Sequence, residues 1–204
     1  MNIEIKTDDK QFKQLFDALE VIPDEAQKAC VSAINKTIAE TNTNLQKAIT
    51  QKYNISKKEL SGGKKYKSDR SNNLMKVEKA TFKDMSAAID IRGTALTLNR
   101  FRPSPDKLPT KKPKNIKVQV TKGKKLNVDA KIKPFIIKGK GGTVGIFSRE
   151  NDQRKMKMLR TLSTAAMARQ EDVYKDVVEQ QSKTLDKKIE QEIKYRLSKL
   201  KGGG

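Results

Sequence analysis

The stretch Lys133-Pro134-Phe135-Ile136-Ile137-Lys138-Gly139-Lys140-Gly141-Gly142-Thr143-Val144-Gly145-Ile146-Phe147-Ser148-Arg149 decides how the middle of this chain is read. Its glycines, lysines and closing arginine raise two possibilities, a phosphate-cradling loop or a β-hairpin with a charged tip. A phosphate loop needs its glycines to run into a helix whose free amides face the anion, with Lys-Ser/Thr at the entry. Here Lys138 to Gly142 leads instead into Thr143 to Phe147, a second apolar β-like arm that mirrors Phe135 to Ile137. The stretch is a hairpin.

Upstream the same logic gives a further hairpin, with Asn115 to Thr121 and Leu126 to Ile132 as arms and Lys122-Gly123-Lys124-Lys125 as the turn. Ala87 to Gly93 and Thr94 to Phe101 read as strands, followed by a loop from Pro103 to Pro113 too rich in proline for regular structure. Residues 61–73 begin with Ser61-Gly62-Gly63 and stay polar and basic, which predicts a flexible linker.

The ends have the other period. Asn2 to Lys6 alternates as a short strand. Asp8-Asp9 then caps a helix carrying Phe12, Leu15, Phe16 and Leu19. Pro23 suits the first position of a second helix, with Asp24 and Glu25 in its first turn. Its apolar stripe is Ala26, Ala29, Cys30, Ala33, Ile34, Ile38, Leu45, Ala48 and Ile49. Ser56-Lys57-Lys58-Glu59 is a capping box for a short third helix. Lys155 to Ser163 is another short extended piece, and one long helix is predicted from Ser163 to about Leu200. Its narrow stripe is Val173, Val177, Leu185, Ile189, Ile193, Leu197 and Leu200. The expectation is an α+β fold: a helical region over residues 1–60, the linker at 61–73, an antiparallel β region at 74–162, and a C-terminal helix with a glycine tail at 163–204.

Charge is uneven along the chain. The net value is +21, from 45 basic and 24 acidic residues. Residues 1–60 hold 9 of each, residues 61–140 hold 22 basic against 6 acidic, and residues 141–204 hold 14 against 9. Such a basic middle meets nucleic acid or an acidic protein surface, or sits screened in solvent. The lysines best placed for contact are Lys111, Lys112, Lys114, Lys122, Lys124, Lys125, Lys138 and Lys140. Nothing in the sequence separates DNA from an acidic protein as their partner. At 5% aromatic content, recognition of single strands by base stacking is disfavoured.

The residue inventory also excludes chemistry. Without histidine and with one cysteine, a zinc site of the usual ligands and a histidine-based nucleophilic site cannot be built. Carboxylate pairs such as Asp8-Asp9 and Asp24-Glu25 lie at helix starts, where capping and dipole terms account for them. No catalytic, cofactor or metal residues are expected, and no small-molecule substrate. Cys30, in an apolar register, reads as a small buried hydrophobe. The opening Met1 to Lys10 has no apolar signal region, and no run of about 18 apolar residues occurs. The expectation is a chain without a membrane partner, made in a cytoplasm-like compartment or carried in a particle assembled there. With 35% apolar residues, it is expected to complete its burial against neighbouring subunits.

In order, then, come an alanine-rich helix, a basic break, the strand ending LTLNRF, the hairpin PFII…GTVGIFSRE, the segment LRTLS and a long helix. From about Glu25 to Leu200 this resembles the prophage minor tail protein Z family, the tail-completion proteins of long-tailed bacteriophages. Leu98, Phe101, Phe135, Ile136, Val144, Phe147 and Arg149 carry the resemblance; the proline-rich insert at Pro103 to Pro113 departs from it. The resemblance implies a non-enzymatic virion protein at the head-proximal end of the tail, assembled in the host cytoplasm and active in head–tail joining. It further implies a ring, possibly a hexamer, touching other tail and neck proteins and possibly the genome DNA end. The alternative from composition alone is a sequence-independent nucleic-acid-binding protein.

Overall fold

Two discontinuous units share the chain: Met1–Gln46, Met75–Ile91 and Arg169–Gly204 make the first, Lys47–Leu74 and Arg92–Ala168 the second. The computed structural model describes residues 1–19, 23–61, 74–111, 113, 115–130, 132–139, 142, 144–149 and 155–201. The linker expected at 61–73 lies outside them apart from Ser61, which is a turn residue.

The first unit starts with β1 (Asn2–Lys6) and α1 (Asp9–Ala18). α1 opens on a capping box: Asp8 Oδ1 accepts from the Gln11 N–H at 2.7 Å, and the Gln11 side chain accepts from the Asp8 N–H at 3.2 Å. α2 (Pro23–Lys52) begins at the expected proline, and its first-turn acids Asp24 and Glu25 complement the helix dipole. Its expected stripe is buried from Ala26 to Ile49, with Ala48 half-buried.

β2 (Met75–Glu78) and β3 (Ser86–Ile91) complete a three-stranded antiparallel sheet in the order β1-β3-β2. Ile3 opposes Ile89 and Met75 opposes Ile91, so alternation puts Ile3, Ile5, Ala87, Ile89 and Ile91 on one buried face. β2 falls where the sequence was ambiguous; cross-strand pairing, not local propensity, makes it a strand. The long C-terminal helix is interrupted. α4 (Thr164–Ala168), in the second unit, is capped by Ser163, whose hydroxyl accepts from the Ala166 N–H at 3.1 Å. After Arg169 and Gln170, α5 (Glu171–Lys201) starts afresh with Glu171 and Asp172 in its first turn. Along α5, Val173, Val177, Leu185 and Ile189 are buried, whereas Ile193 is half-buried and Leu197 exposed.

The second unit also contains α3 (Lys57–Leu60) with the expected Ser56–Glu59 capping box. β4 (Ala95–Thr97) is shorter than the strand expected to Phe101, because Leu98–Arg100 turns into a 3-10 helix. There the Leu98 N–H bonds the Leu159 carbonyl, and the Asn99 side chain donates to the Val144 carbonyl at 3.0 Å. The first hairpin is cut back to β5 (Lys117–Val118) and β6 (Leu126–Asn127). Its backbone spends the remaining hydrogen bonds elsewhere: the Gln119 N–H goes to Phe101, the Val120 carbonyl accepts from Asn54, and Lys117 exchanges two bonds with Ser104. The proline-rich insert is thereby fastened to β5.

The stretch read first forms its hairpin. β7 (Phe135–Lys138) and β8 (Val144–Arg149) pair with Phe135 opposite Phe147 and Ile136 opposite Ile146, and β9 (Met156–Met158) extends the sheet. β10 (Arg160–Ser163) pairs instead with β4. Leu159, between them, links the two by donating to Ile146 and accepting from Leu98. The architecture is α+β, with several small antiparallel sheets and a long C-terminal helix.

Candidate functional site

Dividing the charges by folding unit sharpens what the sequence only smeared. The first unit holds 17 basic against 18 acidic residues, net −1; the second holds 28 against 6, net +22. The entire excess of positive charge belongs to one unit.

In the first unit, several cations and anions are paired by contact. Glu192 is 2% exposed and receives hydrogen bonds from Lys36 and from Ser32 at 2.7 Å. Arg196 bridges Glu192 and Glu25, Lys28 adds a 2.9 Å bond to Glu25, and Lys188 faces Glu40 at 3.3 Å. Burial pushes the Glu192 carboxyl up, but the Lys36 and Ser32 hydrogen bonds, with the Arg196 charge, outweigh it and hold it below its ordinary value. Hydrogen bonds from Lys28 and Arg196 do the same to Glu25. Burial raises the Cys30 thiol, which is fully enclosed and unreactive by that measure.

In the second unit, Glu59 is spent on Ser56 and on Arg100, which it meets at 3.8 Å with both side chains buried. The basic tips face solvent. Lys122, Lys124 and Lys125 are exposed on a turn whose backbone is fixed at its start. The Lys122 N–H bonds the Lys52 carbonyl at 2.9 Å, Thr121 bridges Tyr53, and Gly123 supplies the left-handed φ of +82° that the turn requires. Lys138 is exposed at the end of β7 and Lys111 is exposed within the proline-rich loop. Lys112, Lys114 and Lys140 lie outside the described residues.

The residues that carried the family resemblance are placed differently. Leu98 and Ile136 sit in one apolar cluster with Ile116, Val118 and Ile146, and Val144 packs against it. Phe101 is fully buried, and the rings of Phe135 and Phe147 stack with centroids 6.4 Å apart. Only Arg149, opposite Met156 in the sheet, is exposed. Six of these seven side chains therefore pack the second unit's interior or its sheet face, and the motif reports a fold.

Three residues escaped the sequence reading. Asn99 ties the 3-10 helix to β8, Gly145 leaves room for the Phe147 ring, and Glu192 anchors the ion network. Asn99 and Gly145 stood inside the quoted motifs, but nothing local marked Glu192 among the other charges of its helix. No group of three or more acidic, cysteine or histidine side chains is placed to hold a metal ion among the described residues. A groove of about 220 Å³ lined by the polar and charged residues Glu40, Gln180, Lys183, Thr184, Lys187 and Lys188 is below the usual size of small-ligand pockets, roughly 300–1,000 Å³. No described helix is long and apolar enough to cross a membrane.

Compared with known proteins, residues 10–201 match the family model for prophage minor tail protein Z. No curated protein and no solved structure gives a match.

Proposed function

From the premise that the chain belongs to the prophage minor tail protein Z family, and so is a structural minor tail protein of a phage, we propose that it completes the head-proximal end of the tail. In that role it is a non-enzymatic ring component that makes the tail competent to join a filled head. The observation that carries this reading is the match over residues 10–201, which takes in both folding units and so concerns the whole architecture.

Packing supports contact with other virion subunits. Copies of a chain with a net charge of +21 repel one another, so a ring needs an anionic counter-surface beside it, which a larger particle supplies. Near its C-terminal end α5 also leaves Tyr195 and Leu197 exposed, at 52% and 36%, two residues apart and so on different sides of the helix. Apolar side chains at that position suit contact with another virion subunit. The free nucleic-acid-binding protein considered from composition gives way to a tail component with a basic unit.

Imaging of particles carrying a labelled copy tests the placement: label is expected at the junction of tail and capsid. Disrupting the gene should leave tails and filled heads that do not join. Label at the distal tip, or a chain missing from mature particles, overturns the proposal, as does a purified protein that sediments only as a monomer and never associates with tails.

A further inference from the structure

We propose that the second unit binds the phosphate backbone of duplex DNA, independently of sequence, with the lysines of the Lys122–Lys125 turn and Lys138 among its contacts. The inference goes beyond the tail reading and takes from it only the expectation that a duplex is within reach.

Charge balance is the first argument. With 28 basic residues against 6 acidic ones in this unit, and 45 against 24 in the whole chain, at least twenty-one cations have no acidic counterpart one-to-one anywhere in the molecule. Concentrating that excess in one unit costs self-repulsion, which a polyanion relieves.

The type of cation points the same way. Of the 28, 21 are lysine and 7 arginine. Protein–protein interfaces are depleted in lysine and enriched in arginine and aromatic residues. Lysine binds phosphate as a point charge on a flexible stem, without the bidentate geometry that arginine offers, which suits contact independent of sequence. Linear charge density favours DNA too: a duplex carries one negative charge per roughly 1.7 Å, an acidic peptide at most one per roughly 3.3 Å.

Duplex is favoured over single strands by what surrounds the lysines. Among the described residues, the exposed large apolar side chains of this unit are Leu108, Leu126, Met156 and Leu162. None of these is aromatic, so none of them offers a platform for stacking unpaired bases. The turn itself is held by the Lys52 carbonyl and by Tyr53 while its ammonium groups reach into solvent. A fixed backbone with mobile charges can neutralise phosphates and cannot read base edges.

The test uses the full-length chain, fluorescence anisotropy and a labelled short blunt duplex. Affinity is expected to fall about 10³- to 10⁵-fold between roughly 50 and 200 mM salt, and to be the same for unrelated sequences. Replacing Lys122, Lys124, Lys125 and Lys138 by Gln should make the slope of log affinity against log salt shallower by about 3 to 4. A control with the same loss of charge in the first unit, Lys6, Lys13, Lys175 and Lys194 to Gln, should leave the slope nearly unchanged. All eight side chains are exposed, and circular dichroism verifies that both variants fold.

A salt-independent affinity overturns the proposal, as does equal behaviour of the two variants. Tighter binding of the same-length single strand also overturns it. Polyglutamate competing as well as the duplex per unit charge assigns the surface to acidic protein and overturns it likewise. These outcomes are separable from the tail reading: a chain that ignores DNA but labels the tail–capsid junction loses only this surface, and one that binds duplex but is absent from particles loses only the tail role.

Discussion

Gly145→Ala probes the hairpin at its tightest point. Gly145 and Phe147 are two apart on β8 and share a face, and the Phe147 ring folds back over the glycine. A Cβ at position 145 would lie 2.7 Å from ring carbon Cε2 and 3.2 Å from the Met158 terminal methyl. The methyl can move aside. The ring is less free, because it stacks on Phe135 with an interplanar angle of 23° across the β7–β8 pair. Inserting a methyl into such a site costs about 1–3 kcal/mol. Removing a glycine from a strand returns about 0.5–1 kcal/mol through the unfolded chain. Because the stacked ring resists displacement, the cost falls in the upper part of that range, about 2–3 kcal/mol, and the net loss is about 1–2.5 kcal/mol, a roughly 5- to 70-fold larger population of the opened sheet. Native-state hydrogen exchange at the amides of β7 and β8 reads this directly. The cause is checked by a double-mutant cycle: in a Phe147→Leu background the clash is gone, and Gly145→Ala should cost close to nothing. Unchanged exchange in Gly145→Ala, or strictly additive costs of the two substitutions, refutes the ring-over-glycine packing.

Two further predictions concern residues with contrasting roles. Glu192→Gln removes the negative charge from the network that holds α5 to α2. Because Lys36 is 58% exposed at its side chain and Arg196 keeps Glu25, the loss should be about 1–3 kcal/mol, below that of a fully enclosed pair. The carboxyls of Glu192 and Glu25 titrate below their ordinary value of 4.5, so their contribution is complete above about pH 4.5 and disappears as pH falls through the lower folded values. Melting curves should therefore show a decline on acidification below that point, and the decline should be flatter in Glu192→Gln; a variant with the parent's acid profile would argue against the network. Leu98→Ala, in the apolar cluster with Ile136 and Ile146, should destabilise the second unit by about 2–4 kcal/mol in chemical denaturation. A near-neutral result would move the family motif from the interior back to a contact surface.

Much of this fold could be read one element at a time, because the forces that set those elements act within a few residues. The Asp8–Gln11 and Ser56–Glu59 boxes close over three positions, Pro23 fixes its own φ, and the Phe135–Phe147 hairpin follows from two alternating arms around a glycine bend. The early end of β4 at Thr97 was less accessible, since it depends on partners distant in sequence, Leu159 and Val144. The restart at Glu171 was visible in principle as two acids at a helix N-terminus, but a continuous apolar stripe concealed it.

By itself, the sequence determined that this is an α+β chain without histidine, strongly basic in its middle, with hairpins between helical ends. It could not determine which of its segments fold together, because unit membership is decided by burial between residues far apart. Only the tertiary structure joins Met75–Ile91 and the C-terminal helix to the N-terminal segment, leaving that unit at net −1 and the other at +22. Coulomb interactions follow distance in space rather than along the chain, so a basic middle became a basic unit only once the strands were paired.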